Sequence, residues 1–378
     1  MAFVYPMRDN FTESNRETYM FNLEAFFNTI FQPRSGDRVA VMCDLPHTGS
    51  IPDNEQWKAR REMAAEWVSK LSTFPSLQHI EVRPLVTYLA TKGNNQDLPE
   101  MCRMGEIEIS IRDLVKDNTI VIAMSENSAT APLCLYMKEF DHFRWASMPG
   151  VEKRMEETAL SADYQQIHRR CLLLAPLFEK AVGVRVNFST GHQCYFDITG
   201  PAEVGLDHGL LGPEVAGTPT AGSNLPAGET YTVPNEAADS KTAGTLPVME
   251  GEELILLEVK HNKIIGVDGS GADAEYLRVK FANDDAWANI AEVAIGVNDR
   301  AVITGNVLED EKAGFHWAYG RSDHLEGTVG VADFNSPDDV IHQDIVYAKE
   351  SPITAAKVEF VFADDTTEVV IVNGELMF

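Results

Sequence analysis

RVAVMCDLPHTGSIPDNEQWKARREMAAEWVSKL, residues 38–71, carries both halves of a β-then-α step. Residues 38–44, entered from a Ser-Gly-Asp turn, read as a buried strand, since Val39 to Cys43 are an unbroken apolar run. Residues 55–71 then place Trp57, Met63, Ala64, Trp67 and Leu71 at helical spacing, which predicts an amphipathic helix. The step recurs: HIEVRPLVTYL (79–89) is strand-like, TIVIAM (119–124) is a second short apolar run, and 129–140 fits a helix. Residues 151–181 form the strongest helical region, broken near Ser161, where Ser-Ala-Asp resembles an N-cap. Strands alternating with helices predict an α/β N-terminal domain with a parallel sheet, over residues 1–190.

From about residue 183 the texture changes. VRVNFST and QCYFDIT are strand-like, and residues 200–228 are dense in Gly, Pro, Ala and Thr, so they form either a linker or an ordered loop. Beyond them ELILLEVKHNKIIGVDG and AKVEFVFADDTTEVVIVNGELMF each predict a hairpin, and residues 272–284 form the main helical interruption. The expectation for residues 191–378 is a β-rich α+β domain.

The chain has 31 basic and 58 acidic residues, a formal charge of -27, which opposes binding to nucleic acid or to anionic membrane surfaces. No basic segment followed by an apolar core stands at the amino terminus, and no run of about 18 apolar residues occurs, so neither a secretory signal nor a membrane span is expected. The five cysteines are scattered without a C-x-x-C, which fits small buried hydrophobes in a reducing cytoplasm. The spaced glycines of GVDGSGAD (266–273) follow a hairpin strand and read as a turn, and no G-x-S-x-G elbow occurs.

Four places set ionisable residues inside apolar surroundings. In NIAEVAIGVN, Glu292 is the only charge among Ile290, Ala291, Val293, Ala294 and Ile295. A buried carboxylate must be protonated, paired or bound to a cation. In AGFHWAYG, period two puts His316 opposite Phe315, Trp317 and Tyr319. In VIHQDIVY, Val340, His342, Asp344 and Val346 share one face. In LPAGETYTVP, Glu229 leads from a turn into a strand. Singly, each is more often a core or surface residue than a ligand. Together they supply the oxygen and nitrogen donors that a pair of divalent ions needs, with a carboxylate able to bridge ions about 3.5–4 Å apart.

LPAGETYTVPNE, IAEVAIGVN, TGNVLEDEKAGFHWAYG and IHQDIV resemble, in order, the signature blocks of the aminopeptidase T type of metallo-aminopeptidases, over roughly residues 185–350. The resemblance implies a homodimeric hydrolase that removes amino-terminal residues from peptides or acts on a related small amide. It implies that Glu229, Glu292, His316, His342 and Asp344 bind two divalent ions (zinc, cobalt or magnesium). Glu292 would then be the bridge, and Glu229 a ligand, a base or both. Glu311 and Lys312 are second-rank candidates, equally readable as a charged turn. Many members carry a tyrosine seven positions after the histidine matching His316; here Asp323 stands there, followed by His324. The related 2,5-dihydroxypyridine dioxygenases keep the H-x-D pair but hold one ferrous ion and have histidine at the position of Glu292. The rival expectation is therefore a ring-cleaving oxygenase with Fe(II). His47, His168 and His192 lie in the weakly matched part, and His208 in the Gly/Pro-rich loop as a candidate to line a cleft; all four are weaker candidates.

Overall fold

The computed structural model describes residues 21–47, 51–218 and 220–378; the amino-terminal stretch tested for a signal lies outside them. The chain is mixed α/β, with one sheet containing parallel strands and two further sheets. It divides into two compact units: the described residues up to His168 with Asp207–Ala227, and Arg169–Leu206 with Gly228–Phe378.

In the first unit the strand Arg38–Leu45 is flanked in parallel by Ile120–Met124 and Val86–Leu89. Val39 to Cys43 are fully buried on both faces, as the apolar run requires. The helix Glu55–Leu71 is capped by the Asn54 side chain, which accepts from Trp57 N at 2.8 Å. It buries the five expected residues and also Arg60, whose guanidinium donates to the Val151 carbonyl at 2.9 Å. The segment 79–89 is two strands, Glu81–Val82 and Val86–Leu89, because Pro84 between them can donate no ladder hydrogen bond. Arg144–Ser147 continues the parallel order, and the hairpin Met101–Met104 with Ile107–Ser110 closes the other edge antiparallel. The Gly/Pro-rich segment is ordered: Gly222–Asn224 adds a further parallel strand beside Arg144–Ser147. Gly222 lies so close to the Trp145 ring that a Cβ there would meet it at 1.9 Å. The break near Ser161 is present, with Asp163 Oδ1 accepting from Gln165 N and Gln166 N at the start of the helix Tyr164–Lys180.

The second unit holds two sheets. The larger runs Lys263–Asp268, Glu253–Lys260, Ala243–Glu250, Gln193–Asp197, Gly183–Phe188, Ala355–Val361, Thr367–Val372, Glu375–Leu376. Both predicted hairpins lie in it. Of GVDGSGAD only residues 269–271 are a turn, joining the end of the strand Lys263–Asp268 to the helix Ala272–Asn283, with Ser270 N and Gly271 N donating to Glu253 Oε1. The smaller sheet has the order Gly205–Asp207, Glu229–Thr232, Ile290–Gly296, Phe315–Gly320, His342–Val346. Among the described residues, no helix is long and apolar enough to cross a membrane.

Candidate metal centre

The smaller sheet sorts its side chains by register. Glu292 lies opposite Ala318, which lies opposite Asp344; Ala294 lies opposite His316, and Gly320 opposite His342. Glu229 pairs with Gly296. Cross-strand partners share a face, so the five candidate residues all stand on one face. Phe315, Trp317 and Tyr319 are buried on the other. A β-bulge between Ile290 and Glu292 aligns Glu292 with Ala318. Ala318 and Gly320, on the strand between the two acid-bearing ones, put no bulky side chain among the donors. Gly320 is also required by its backbone: φ is +106°, and a Cβ would meet the Ile341 carbonyl oxygen at 2.2 Å.

Two groups of donor atoms result, Glu229–Glu292–His316 and Glu292–His342–Asp344, each with its atoms within 4.8 Å of one another. Glu292 belongs to both. Each histidine donates its Nδ1–H to a backbone carbonyl, His342 to Arg321 at 2.7 Å and His316 to Gly314 at 3.2 Å. That fixes the tautomer and turns each Nε2 inward, as ligand histidines are held. His342 Nε2 lies 3.1 Å from Glu292 Oε2 and 3.7 Å from Asp344 Oδ1. His316 Nε2 lies 3.2 Å from Glu229 Oε2 and 3.9 Å from Glu292 Oε1. Glu229 Oε2 is buried and accepts no hydrogen bond of good geometry. Lone pairs thus face lone pairs, an arrangement that only a proton or a metal cation satisfies. The residues present therefore fit a divalent ion, and the donor set of carboxylate oxygen and imidazole nitrogen suits zinc, manganese, cobalt or iron.

In the metal-free chain protons do that service. Burial opposes the His316 imidazolium, but the close Glu229 carboxylate, with Glu292 and Asp344, raises it to about 9. Burial likewise opposes His342, and Asp344 and Glu292 raise it well above the ordinary range. Burial pushes the Glu292 carboxyl up, with Asp344 and Glu229 adding and His342 opposing. For Asp344 burial is outweighed by His342, and its carboxyl is held down. For Glu229 burial is outweighed by Lys312 and His316, which hold it down to about 2.

Glu311 and Lys312 are part of the same cluster. Lys312 is fully buried; its Nζ donates to Glu229 Oε1 at 2.6 Å and ion-pairs with Glu311 at 2.7 Å. Burial pushes Glu311 well above the usual carboxylate range, with Lys312 opposing. Gly296 makes this possible: a Cβ there would lie 2.3 Å from the Glu311 carbonyl oxygen and 2.5 Å from Lys312 C. The turn is tied down by Gly296 N donating to Gly314 O and Asn298 N to Lys312 O. His324 packs edge-on to His342, ring centroids 4.8 Å apart, while Asp323 pairs with Arg321. Sequence reasoning passed over Glu236, the Glu of VPNE. Its carboxylate accepts from Asn289 Nδ2, Ser322 Oγ, Thr328 N and Thr328 Oγ1, and so anchors the loop after the His316 strand. Its only sequence signal is membership of a signature block. The weaker candidates do not join the cluster: His47 donates to the Ala90 carbonyl, His192 contacts Thr190, and His168 meets His208 with tilted rings, centroids 4.4 Å apart.

A mixed α/β fold with a polar, lone-pair-rich face on its smaller sheet defines a candidate metalloprotein. No family model matches the chain, and no curated protein matches its sequence. Solved structures share its fold. The 2,5-dihydroxypyridine dioxygenase from Pseudomonas putida KT2440 is 17% identical, with TM-score 0.60, over 94% of this chain and 96% of that one. Wild-type AmpT (aminopeptidase T) from Thermus thermophilus is 13% identical, with TM-score 0.56, over 94% of this chain and 99% of that one.

Proposed function

We propose that the chain is a metal-dependent aminopeptidase that hydrolyses the amino-terminal residue of peptides, or a related small amide, at a centre of two divalent ions. The observation that carries this is the sharing of Glu292 by two donor groups. One carboxylate serving two positions is the geometry of a bridging ligand. Divalent ions held there would supply Lewis acidity, acidifying water and polarising a carbonyl. Glu229, Glu292 and His316 would hold one ion, and Glu292, His342 and Asp344 the other. Glu229 is a ligand, the proton acceptor, or each at a different stage on this reading: one oxygen is fixed by Lys312, so the inward one can take a proton only when it is off the ion. A homodimer accompanies the proposal through the resemblance of the signature blocks, and a cytoplasmic setting through the scattered cysteines.

The rival is a mononuclear Fe(II) ring-cleaving dioxygenase, favoured by the TM-score of 0.60 to such an enzyme. A second acidic group at Glu292 supports two dications over one redox iron, since it offsets charge that a single ferrous ion does not bring. Metal analysis of purified protein, followed by a screen of aminoacyl anilides, tests the proposal. Close to two ions per chain and anilide hydrolysis are expected. One tightly bound iron with oxygen consumption on hydroxylated pyridines would replace it with the rival.

A further inference from the structure

The two donor groups differ in one respect that the residues themselves make plain. Glu292 and Asp344 have only histidines as ion-pair partners among the described residues. Imidazole offers a cation a neutral lone pair. Glu229, by contrast, already has a resident cation, the Lys312 ammonium on Oε1 at 2.6 Å. An ammonium offers no lone pair, and beside a dication it repels. It is not free to swing away: the Lys312 side chain is fully buried, is held on its other side by Glu311, and its backbone is clamped under Gly296.

We propose that Lys312 is a positioning residue that makes the two cation positions unequal. The Glu292–His342–Asp344 position fills first and tightly, and the Glu229–Glu292–His316 position takes a second ion that is weakly held and exchangeable. Lys312 does this in two ways. It confines Glu229 to its single inward oxygen, Oε2, and it adds a fixed positive charge beside the second ion. The inference rests on the two-ion reading above, and it names which ion a purified sample would lose.

The test is equilibrium titration of chelator-stripped protein with Mn²⁺, read by dialysis and metal analysis, with no activity required. Wild type is expected to bind in two steps separated by at least about tenfold in affinity. Lys312→Met is expected to tighten the second step by about tenfold or more and to leave the first within about threefold. Lys312→Arg, which keeps the charge, should retain the separation. Should Lys312→Met fail to fold, two ligand variants decide: His316→Ala should abolish only the weak step, and His342→Ala the tight one. Two ions of equal affinity in wild type, an unchanged or weaker second step in Lys312→Met, or the reverse assignment in the histidine variants overturns the role of Lys312 while leaving the two-ion centre standing. Wild type that binds no Mn²⁺ at all overturns both.

Discussion

Glu292→Gln separates a functional centre from a merely structural polar cluster, because the two predict opposite signs. The Glu292 carboxylate is 5% exposed and lies in donor groups whose atoms are within 4.8 Å of one another, so both Glu229 and Asp344 are close like charges. At that separation and an effective dielectric near 20, each ionised pair costs roughly 3.5 kcal/mol before the histidines compensate. Glutamine is isosteric and still accepts from His342 Nε2, which now lies 3.1 Å from Oε2. Burial raises this carboxyl in spite of His342, so at alkaline pH, once the His316 and His342 imidazolium protons are released, removing the charge should stabilise the stripped protein by about 1–3 kcal/mol. On the proposed function the same change removes the shared ligand. Wild type at a metal concentration a hundredfold above Kd should gain about 2.7 kcal/mol, and the variant close to none. The assay is thermal or denaturant unfolding with and without added divalent metal after chelation, and the two stability orders should cross. A variant less stable than wild type when stripped, with an undiminished metal-induced gain, would refute the reasoning.

Other expectations follow from single features. Gly296→Ala puts a methyl group 2.3 Å from the Glu311 carbonyl oxygen, so the turn carrying Lys312 must move. A loss of about 1–3 kcal/mol in denaturant unfolding and weakened metal binding should appear together. Arg144, 2% exposed, donates to the Phe31 and Leu211 carbonyls and pairs with Asp37, so Arg144→Met should cost about 3–5 kcal/mol in the same assay. Burial, then the Asp273 charge, raises the Glu250 carboxyl to about 7. The folded state thus holds that proton more tightly than the unfolded chain, and the stability it contributes is complete below the ordinary carboxylate range and lost as pH rises through about 7. For a half-buried group the loss, after solvent screening, is about 1–2 kcal/mol. Glu250→Gln should flatten stability between pH about 5 and 8, as followed by urea unfolding.

Periodicity carried far in this chain because its elements are buried in regular ways. Residues 38–44 and 55–71 form the strand and helix they spell, and period two placed His316 opposite its three aromatic neighbours. Asp163 caps the long helix where Ser-Ala-Asp interrupts the pattern. What pattern could not supply are contacts between segments distant in sequence. Gly222–Asn224 joins the parallel sheet from within a stretch whose composition announces only a loop. The local EDEK reads as a charged turn, yet Lys312 is buried against Glu229, 83 residues away.

By itself the sequence determined which residue types interrupt apolar strands, and hence that Glu229, Glu292, His316, His342 and Asp344 needed partners. Alternation along one strand is enough for that, since it fixes which side chains share a face. The tertiary structure alone decided that they partner one another. Register between strands, the bulge before Glu292 and the absence of a side chain at Gly296 set which faces meet, and all three are properties of pairs of segments. The same pairing brought a lysine into a cluster of carboxylates, where its fixed charge distinguishes one end from the other.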